Sequence, residues 1–173
     1  MAVFGLFGKK DLDPFNTFQI IIETPLKNQP LPRNVPNTDF EGYDIDHSTT
    51  PVIEVTESNE NGTTRQDVLK GCQQGEQLKL ILEEQDQQDP AVRVCRQSGE
   101  QIGYLPPGMG RTVIDNSLVG YRNSVYISEI NGGTMGNPLL GINIHIIFAH
   151  EDSPESVMNE YIQSLVPSPT VTN

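Results

Sequence analysis

One histidine in this sequence is flanked by a carboxylate and a hydroxyl, the side-chain types of a hydrolytic triad. His47 follows Asp46 and precedes Ser48. A working triad takes its three members from separate elements of a fold, whereas these residues are direct neighbours in a polar stretch. We therefore assign His47 no catalytic role. No other constellation in the sequence indicates an enzyme.

The residue types that bind metal ions are also too scattered to form a site. His145 and His150 are five residues apart on a predicted strand, so their side chains point to opposite faces and do not share a metal ion. Cys72 and Cys95 belong to no CxxC pair, which indicates neither a zinc site nor a disulfide framework and leaves one disulfide open. The acidic run at residues 83–86 lacks the alternating ligands of a calcium loop. We expect no metal and no cofactor.

The charge balance excludes ligands that are held mainly by long-range attraction to anions. The 173 residues include 11 Lys and Arg against 23 Asp and Glu, for a formal net charge of −12. Nonspecific binding to a phosphate backbone or to anionic lipid needs the opposite sign, so any contact with nucleic acid has to be local. No apolar run is long enough for a signal peptide or a membrane span, and we expect a soluble, cytoplasmic protein.

Short apolar alternations separated by turns predict the elements that would position a site. The middle of the chain contains predicted strands near residues 52–55, 78–82, 91–94, 101–105, 124–130 and 142–148, a short helix from Thr63 or Thr64 through Leu69, and a weaker helix at residues 112–118. Ser98-Gly99 predicts a hairpin, and the glycines of residues 108–111 and 131–136 predict turns. Because no long crossover helix is available for parallel pairing, the pattern favours a small antiparallel β-barrel.

Composition divides the chain into three parts. These are an N-terminal arm at residues 1–51, the barrel at residues 52–150, and an acidic C-terminal helix and tail at residues 151–173. The arm has one predicted strand at residues 15–24 and a Pro-rich connection at residues 26–50. It is long enough to cover a barrel edge in its own chain or in a neighbouring copy, and the second case would make a homo-oligomer. The apolar residues 4–7 are either a docking segment or an unstructured end.

Three segments in the middle of the chain resemble the HIRAN domain family. They read GEQLKL at residues 75–80, DPAVRV at residues 89–94 and SGEQIGYLP at residues 98–106, in the order and spacing of the family's motifs. The resemblance covers roughly residues 52–150, a usual size for one domain. It implies a small OB-like barrel without catalytic activity. It also implies binding of single-stranded DNA, with the free 3′ end recognised by base stacking and by polar groups around the terminal hydroxyl.

Five residues follow as candidates for nucleic-acid binding, each with a structural alternative. Asp89 matches the family's loop carboxylate and accepts a hydrogen bond from the terminal hydroxyl, or it caps a turn. Arg65 and Gln66, at the start of the first helix, contact phosphate or lie in a solvated first turn. Tyr104 stacks on a base or packs on the barrel edge. Arg93 projects from its strand toward phosphate or toward solvent.

These residues predict a noncatalytic module that binds nucleic-acid ends. The alternative is a protein-interaction or structural module that keeps the barrel without a DNA groove. It is favoured by the acidic balance of residues 52–150, which contain 7 basic and 12 acidic side chains. A positive surface beside Tyr104 would favour nucleic acid, and a negative surface there would favour a protein partner.

Overall fold

A single antiparallel sheet organises the fold. The computed structural model describes residue 40, residues 42–83 and residues 91–166. In this part of the chain the elements are β1 (Ile45–Pro51), α1 (Arg65–Lys70), β2 (Gln77–Leu82), β3 (Val92–Arg96), β4 (Gln101–Tyr104), α2 (Pro107–Leu118), β5 (Tyr121–Thr134), β6 (Asn137–His150) and α3 (Glu155–Leu165). The strands lie in the order β1-β6-β5-β2-β3-β4, and every neighbouring pair is antiparallel.

The sheet curls until its two edges meet. Beyond β1 the chain continues to Ile53, whose N–H donates to the Tyr104 carbonyl at 2.9 Å and whose carbonyl accepts from the Tyr104 N–H at 3.1 Å. Because β1 and β4 are the two ends of the strand order, this bridge joins the edges of the sheet. The predicted mainly β fold is confirmed, and the curled sheet is that of a small OB-like barrel.

Apolar side chains fill the inside of the curled sheet, and α3 covers part of its outside. The fully buried members of the inner cluster include Leu69, Val94, Ile102, Val113, Val125, Ile127, Ile144 and Ile146. On the outer face, Met158 and Ile162 of α3 pack with Ile147 of β6. Where α3 covers this face, β5 and β6 are buried on both sides. Residues 123–127 therefore show no alternation of buried and exposed side chains.

Local sequence signals place α1 where the sequence predicts it. The Thr64 hydroxyl accepts a hydrogen bond from the Asp67 N–H at 3.1 Å, and Gly71 follows the last helical residue. A helix of six residues is too short to be stable alone, so the burial of Val68 and Leu69 must hold it on the core.

The predicted strands in the middle of the barrel are confirmed. Residues 78–82, 91–94 and 101–105 correspond to β2, β3 and β4, and Ser98-Gly99 lies in the turn that joins the last two. Gly99 adopts a φ of +100°, a conformation that glycine reaches without the steric cost of a Cβ.

Two predictions near residue 50 are wrong. The composition predicts a connection through residue 50 and then a strand at residues 52–55, but the strand is β1, which ends at Pro51. β1 pairs along its whole length with β6, and this distant partner stabilises a polar segment that has few strand-forming side chains. Glu54 has a φ of +57°, which ends the extended chain. The sheet therefore includes residues assigned above to the arm.

The turn between β5 and β6 also lies elsewhere than predicted. Residues 131–133 continue β5, and the turn is at Met135-Gly136. Gly132 has a φ of +83° beside a shift in the register of β5 and β6. This glycine therefore permits an irregularity within the strand and does not form the turn. In α2, Pro107 is in the first turn, so residues 108–111 are helical and not a turn.

The C-terminal helix is confirmed as α3, although it begins at Glu155 instead of residue 151. The strand predicted at residues 15–24 and the tail at residues 167–173 lie outside the described residues.

Candidate functional site

Two of the predicted binding residues are neighbours on the outside of the β3–β4 hairpin. Arg93 and Tyr104 are directly opposite each other in the antiparallel register, which puts their side chains on the same face. Glu83, just after β2, connects them. Its carboxylate accepts a hydrogen bond from the Tyr104 hydroxyl at 3.2–3.3 Å and lies 2.8 Å from Arg93 Nε. The sequence places Glu83 in an acidic loop and gives no sign of this role.

Arg65 belongs to the same cluster, because its guanidinium group packs against one face of the Tyr104 ring. Its guanidinium carbon lies 5.1 Å from the ring centroid, within the range of a cation–π contact. The residue is only 6% exposed. Its Nη1 donates to the Glu54 carbonyl at 2.8 Å and its Nε donates to Asn59 Oδ1 at 3.0 Å. Both alternatives drawn from the sequence, a phosphate contact and a solvated first turn, are therefore wrong for Arg65.

Gln66 is used by the fold in a similar way. Its Nε2 donates to the carbonyls of Val55 and Leu140 at 3.0 and 2.9 Å, and its Oε1 accepts from the Leu140 N–H at 2.8 Å. The side-chain amide thus pairs with the backbone of β6 as a neighbouring strand would. Its donors and acceptor are engaged within the protein, and it is not placed to contact phosphate.

Arg93 has the most available donors of the predicted set. Its Nε lies within ion-pair distance of Glu83 but has no aligned hydrogen-bond acceptor among the described residues. The side chain as a whole is 29% exposed. Asp89, the fifth predicted residue, lies outside the described residues.

A polar pocket of about 230 Å³ opens next to Arg93. It lies between the loop before α1 and the β3–β4 turn, and its lining residues are Asn59, Glu60, Asn61, Thr63, Val68, Arg93, Gly99, Glu100 and Gln101. Asn59 is held on both sides, since its Nδ2 donates to the Gln101 carbonyl at 2.9 Å and its Oδ1 accepts from Arg65. Amides and carboxylates accept hydrogen bonds from hydroxyls, and a guanidinium donates to phosphate oxygens. The pocket suits a hydroxyl-bearing ligand with little negative charge.

The basic side chains in the described part of the chain all have partners within the protein. These residues hold seven of the 11 Lys and Arg. Five of them pair with carboxylates: Arg65 with Glu54, Lys70 with Asp67, Arg93 with Glu83, Arg96 with Glu76, and Arg111 with Asp115. Lys79 and Arg122 donate to backbone carbonyls. Among the residues that the structure describes, the charges beside Tyr104 are thus balanced and do not form the positive surface that a long nucleic-acid strand favours.

A pair of histidines comes together on the outer face of the sheet. His145 and His150 occupy opposite faces, as their spacing predicts: His145 Nδ1 lies 2.8 Å from Thr49 Oγ1, whereas the ring of His150 meets that of Tyr121 edge-on. The sequence gives no sign of the other neighbour of His145, which is His47 at 5.5 Å between ring centroids. The β1–β6 register, a long-range feature, creates this pair.

The histidine pair serves the packing of α3. His47 Nδ1 and the Tyr161 hydroxyl are hydrogen-bonded at 2.8 Å. Burial, followed by the nearby charge of His47, lowers the pKa of His145. Within the ranges that the structure describes, no group of three or more His, Cys, Asp or Glu side chains could hold a metal ion. We therefore regard the pair as a contact between β1, β6 and α3.

Comparison with known proteins gives no match: no family model, no curated protein and no solved structure matches this chain. The resemblance noted for residues 52–150 stays a prediction, and the function has to be argued from geometry. Of the helices described here, none has the length and apolar composition needed to cross a membrane.

Proposed function

We propose that this protein is a noncatalytic module of the HIRAN type that binds the end of a single-stranded nucleic acid beside Tyr104. One observation carries the proposal: the polar pocket shares Arg93 with the Tyr104 cluster. An aromatic ring, a guanidinium and groups that accept hydroxyl hydrogens are the parts that recognition of a strand end requires. The proposal places the protein in the cytoplasm, in keeping with two buried cysteines that form no disulfide.

Each part of the site has one role in the proposed complex. The terminal base stacks on the face of Tyr104 turned away from Arg65, a contact that contributes about 1–3 kcal/mol. Arg93 donates to the nearest phosphate. Amide and carboxylate oxygens in the pocket, including those of Asn61 and Glu100, accept from the terminal hydroxyl.

The pairing of the cations predicts how such binding would depend on salt. For single strands, the slope of log affinity against log salt is about −0.7 for each phosphate contacted. A site with Arg93 as its one phosphate ligand would therefore show a shallow slope. A groove with several free cations would show a steep one.

A protein ligand is the second candidate, and the charge distribution favours it. Acidic side chains outnumber basic ones by 12 to 7 in residues 52–150, and the described cations are already paired. In this case the pocket would take a Lys or Arg side chain of the partner between Glu60 and Glu100. Both candidate ligands would occupy the same pocket, but the nucleic acid would bring negative charge to it and the protein partner would bring positive charge.

Fluorescence anisotropy with short single-stranded DNA tests the first candidate. Probes with a free 3′ hydroxyl and with a 3′ phosphate are compared at about 50 and about 200 mM salt, a range over which multiple phosphate contacts lose much of their affinity. We expect tighter binding of the free hydroxyl. We also expect an approximately ten-fold loss in Arg93→Ala, as for one charge-assisted hydrogen bond, and Asp89→Ala tests the loop carboxylate that the resemblance implies.

Arg111→Ala is the matched control, because Arg111 is also paired with a carboxylate but lies on α2. Equal losses in Arg93→Ala and Arg111→Ala would indicate nonspecific attraction. The nucleic-acid proposal fails if no probe binds at low salt. Binding of a lysine-rich peptide that Glu100→Gln weakens would then support the second candidate.

A further inference from the structure

Three large apolar side chains are exposed at the end of the barrel where β1 begins and α2 ends. Leu118 is 79% exposed, Val119 is 64% exposed and Tyr43 is 44% exposed. Single exposed apolar residues are common, but several at one place mark a surface that another group covers. We refer to Tyr43, Leu118 and Val119 as the apolar end.

Hydrogen bonds hold the two sides of the apolar end together. Tyr121, two residues after Val119, donates from its hydroxyl to the Asp44 carboxylate. The Asp44 carbonyl accepts from the His150 N–H at 3.0 Å, and His150 is opposite Tyr121 in the β5–β6 register. Tyr43 therefore lies at the same end of the sheet as the start of β5 and the corner that carries Leu118 and Val119.

Carboxylates border the apolar end. The Glu151 N–H donates to the Gly120 carbonyl at 2.8 Å, and a Cβ on Gly120 would lie 3.4 Å from the Glu151 carboxyl group. Asp152 follows, with its side chain 90% exposed. Arg122, a basic residue on the adjoining strand, donates to the Ser153 carbonyl at 2.7 Å. A segment that covers this surface needs apolar side chains followed by positive charge.

We propose that residues 3–10 of the same chain dock on the apolar end. The segment reads VFGLFGKK. Phe4, Leu6 and Phe7 match the exposed apolar side chains, Lys9 and Lys10 match the acidic border, and the segment contains no carboxylate. Apolar burial supplies the affinity, and the opposite charges fix the orientation.

The length of the intervening chain favours the chain's own segment over a second copy. The 29 residues from 11 to 39 separate the segment from Phe40, which packs edge-on against Tyr161 at 5.1 Å between ring centroids. Tyr43, three residues further, belongs to the apolar end. A chain of 29 residues extends to at most about 100 Å, which is enough for the segment to return to this end, and the covalent tether raises its local concentration there above that of a second copy.

A tryptophan probe tests the docking directly. The chain contains no tryptophan, so the emission of Phe7→Trp reports on the segment alone. We expect emission at shorter wavelength and several-fold weaker acrylamide quenching than in Phe7→Trp combined with Leu118→Asp. Leu139→Asp is the matched control, because Leu139 is also exposed, at 53%, but lies near the β5–β6 turn. Both are surface substitutions, so the fold is retained in each.

Disulfide trapping identifies the occupant. Cys72 and Cys95 are buried, so mild oxidation of Phe7→Cys/Leu118→Cys links only the engineered pair. We expect an intramolecular disulfide in the monomer, with its yield reduced several-fold by Lys9→Glu/Lys10→Glu. A disulfide-linked dimer would assign the surface to a second copy and overturn the proposal. Emission of an exposed tryptophan in Phe7→Trp, or emission that Leu118→Asp leaves unchanged, would also overturn it.

Discussion

The guanidinium of Arg65 joins parts of the barrel that are separate in the chain. It binds the Glu54 carbonyl and Asn59 before α1, and it lies against the ring of Tyr104 on β4. A buried cation is costly unless its donors are engaged. The Nε–H that donates to Asn59 also helps to fix this residue, which lines the pocket. The side chain therefore supports the candidate site without contacting a ligand.

We predict that Arg65→Ala lowers the free energy of unfolding by about 2–3 kcal/mol, because it leaves buried acceptors without the hydrogen bonds of a charged donor. Urea denaturation measures the change. Arg111→Ala removes an arginine from an exposed ion pair and should stay within about 0.5 kcal/mol of the parent. Equal midpoints for Arg65→Ala and the parent would contradict the structural role.

We predict a pH-dependent stability from His145. Its pKa in the folded protein is below the usual 6.5, because burial, and then the charge of His47, disfavour the protonated ring. The folded state therefore binds fewer protons than the unfolded state as pH falls through 6.5. The free energy of unfolding therefore decreases as the pH falls below 6.5. The decrease ends when the pH reaches the lower pKa of His145 in the folded protein. Thr49, Tyr161 and Asp46 also border the pair.

The measurement is the urea midpoint of unfolding at several pH values between about 7.5 and about 5, the range in which histidine side chains titrate. The midpoint of the parent should fall as the pH is lowered, and His145→Gln should reduce that fall. His150→Gln is the control on the opposite face. An unchanged pH dependence in His145→Gln would argue against this origin.

The roles of single residues could be predicted only where their partners are local. The Ser98-Gly99 hairpin is visible in the sequence, and it alone brings Arg93 beside Tyr104. The partners of Arg65 and Gln66 include a backbone carbonyl 11 residues away and a strand 74 residues away. No local pattern marks such contacts. Two residues that resemble surface ligands therefore have their hydrogen-bonding groups engaged within the protein.

At the scale of the elements, the conformation of the β5–β6 hairpin requires a glycine at residue 132. Gly132 has a φ of +83°, and a Cβ there would collide with the Leu139 carbonyl. We predict that Gly132→Ala destabilises this part of the hairpin by about 1–3 kcal/mol. Hydrogen exchange should become faster at residues 131–140 and stay unchanged in α3.

Gly136→Ala provides the matched control for this hairpin. Gly136 lies in the turn itself, where a Cβ would meet no atom of the described residues within 4 Å, and its φ is outside the positive range that disfavours side chains. Its substitution should leave the exchange of residues 131–140 near that of the parent. Similar acceleration in both variants would mean that the strand irregularity is not the sensitive point.

Elements with their own signals were predictable from the sequence, and those that depend on distant partners were not. Thr64 and Gly71 mark both ends of α1, so its position is correct. β1 consists mainly of polar and charged residues and is a strand because β6 lies beside it. The two glycines at residues 132 and 133 are typical of a turn, and only the register of the hairpin shows that they belong to a strand.

At the scale of the whole molecule, composition predicts the fold class and the limits on binding. Short alternating segments without a long crossover helix lead correctly to a curled antiparallel sheet. The net charge of −12 restricts contact with nucleic acid to a local site. How the described cations are used could not be predicted, because each pairing depends on the folded arrangement. The distinction between an end-binding site and a protein-binding site rests on that arrangement.

The bridge between Ile53 and Tyr104 closes the barrel at a residue of the candidate ligand site. Two backbone hydrogen bonds form this seam, whereas β5 and β6 pair over most of their lengths. Opening at the seam would therefore require less free energy than separating the central strands. A ligand that binds only the closed arrangement around Tyr104 would stabilise it. Local opening of the barrel at this bridge would then become rarer when the ligand is bound.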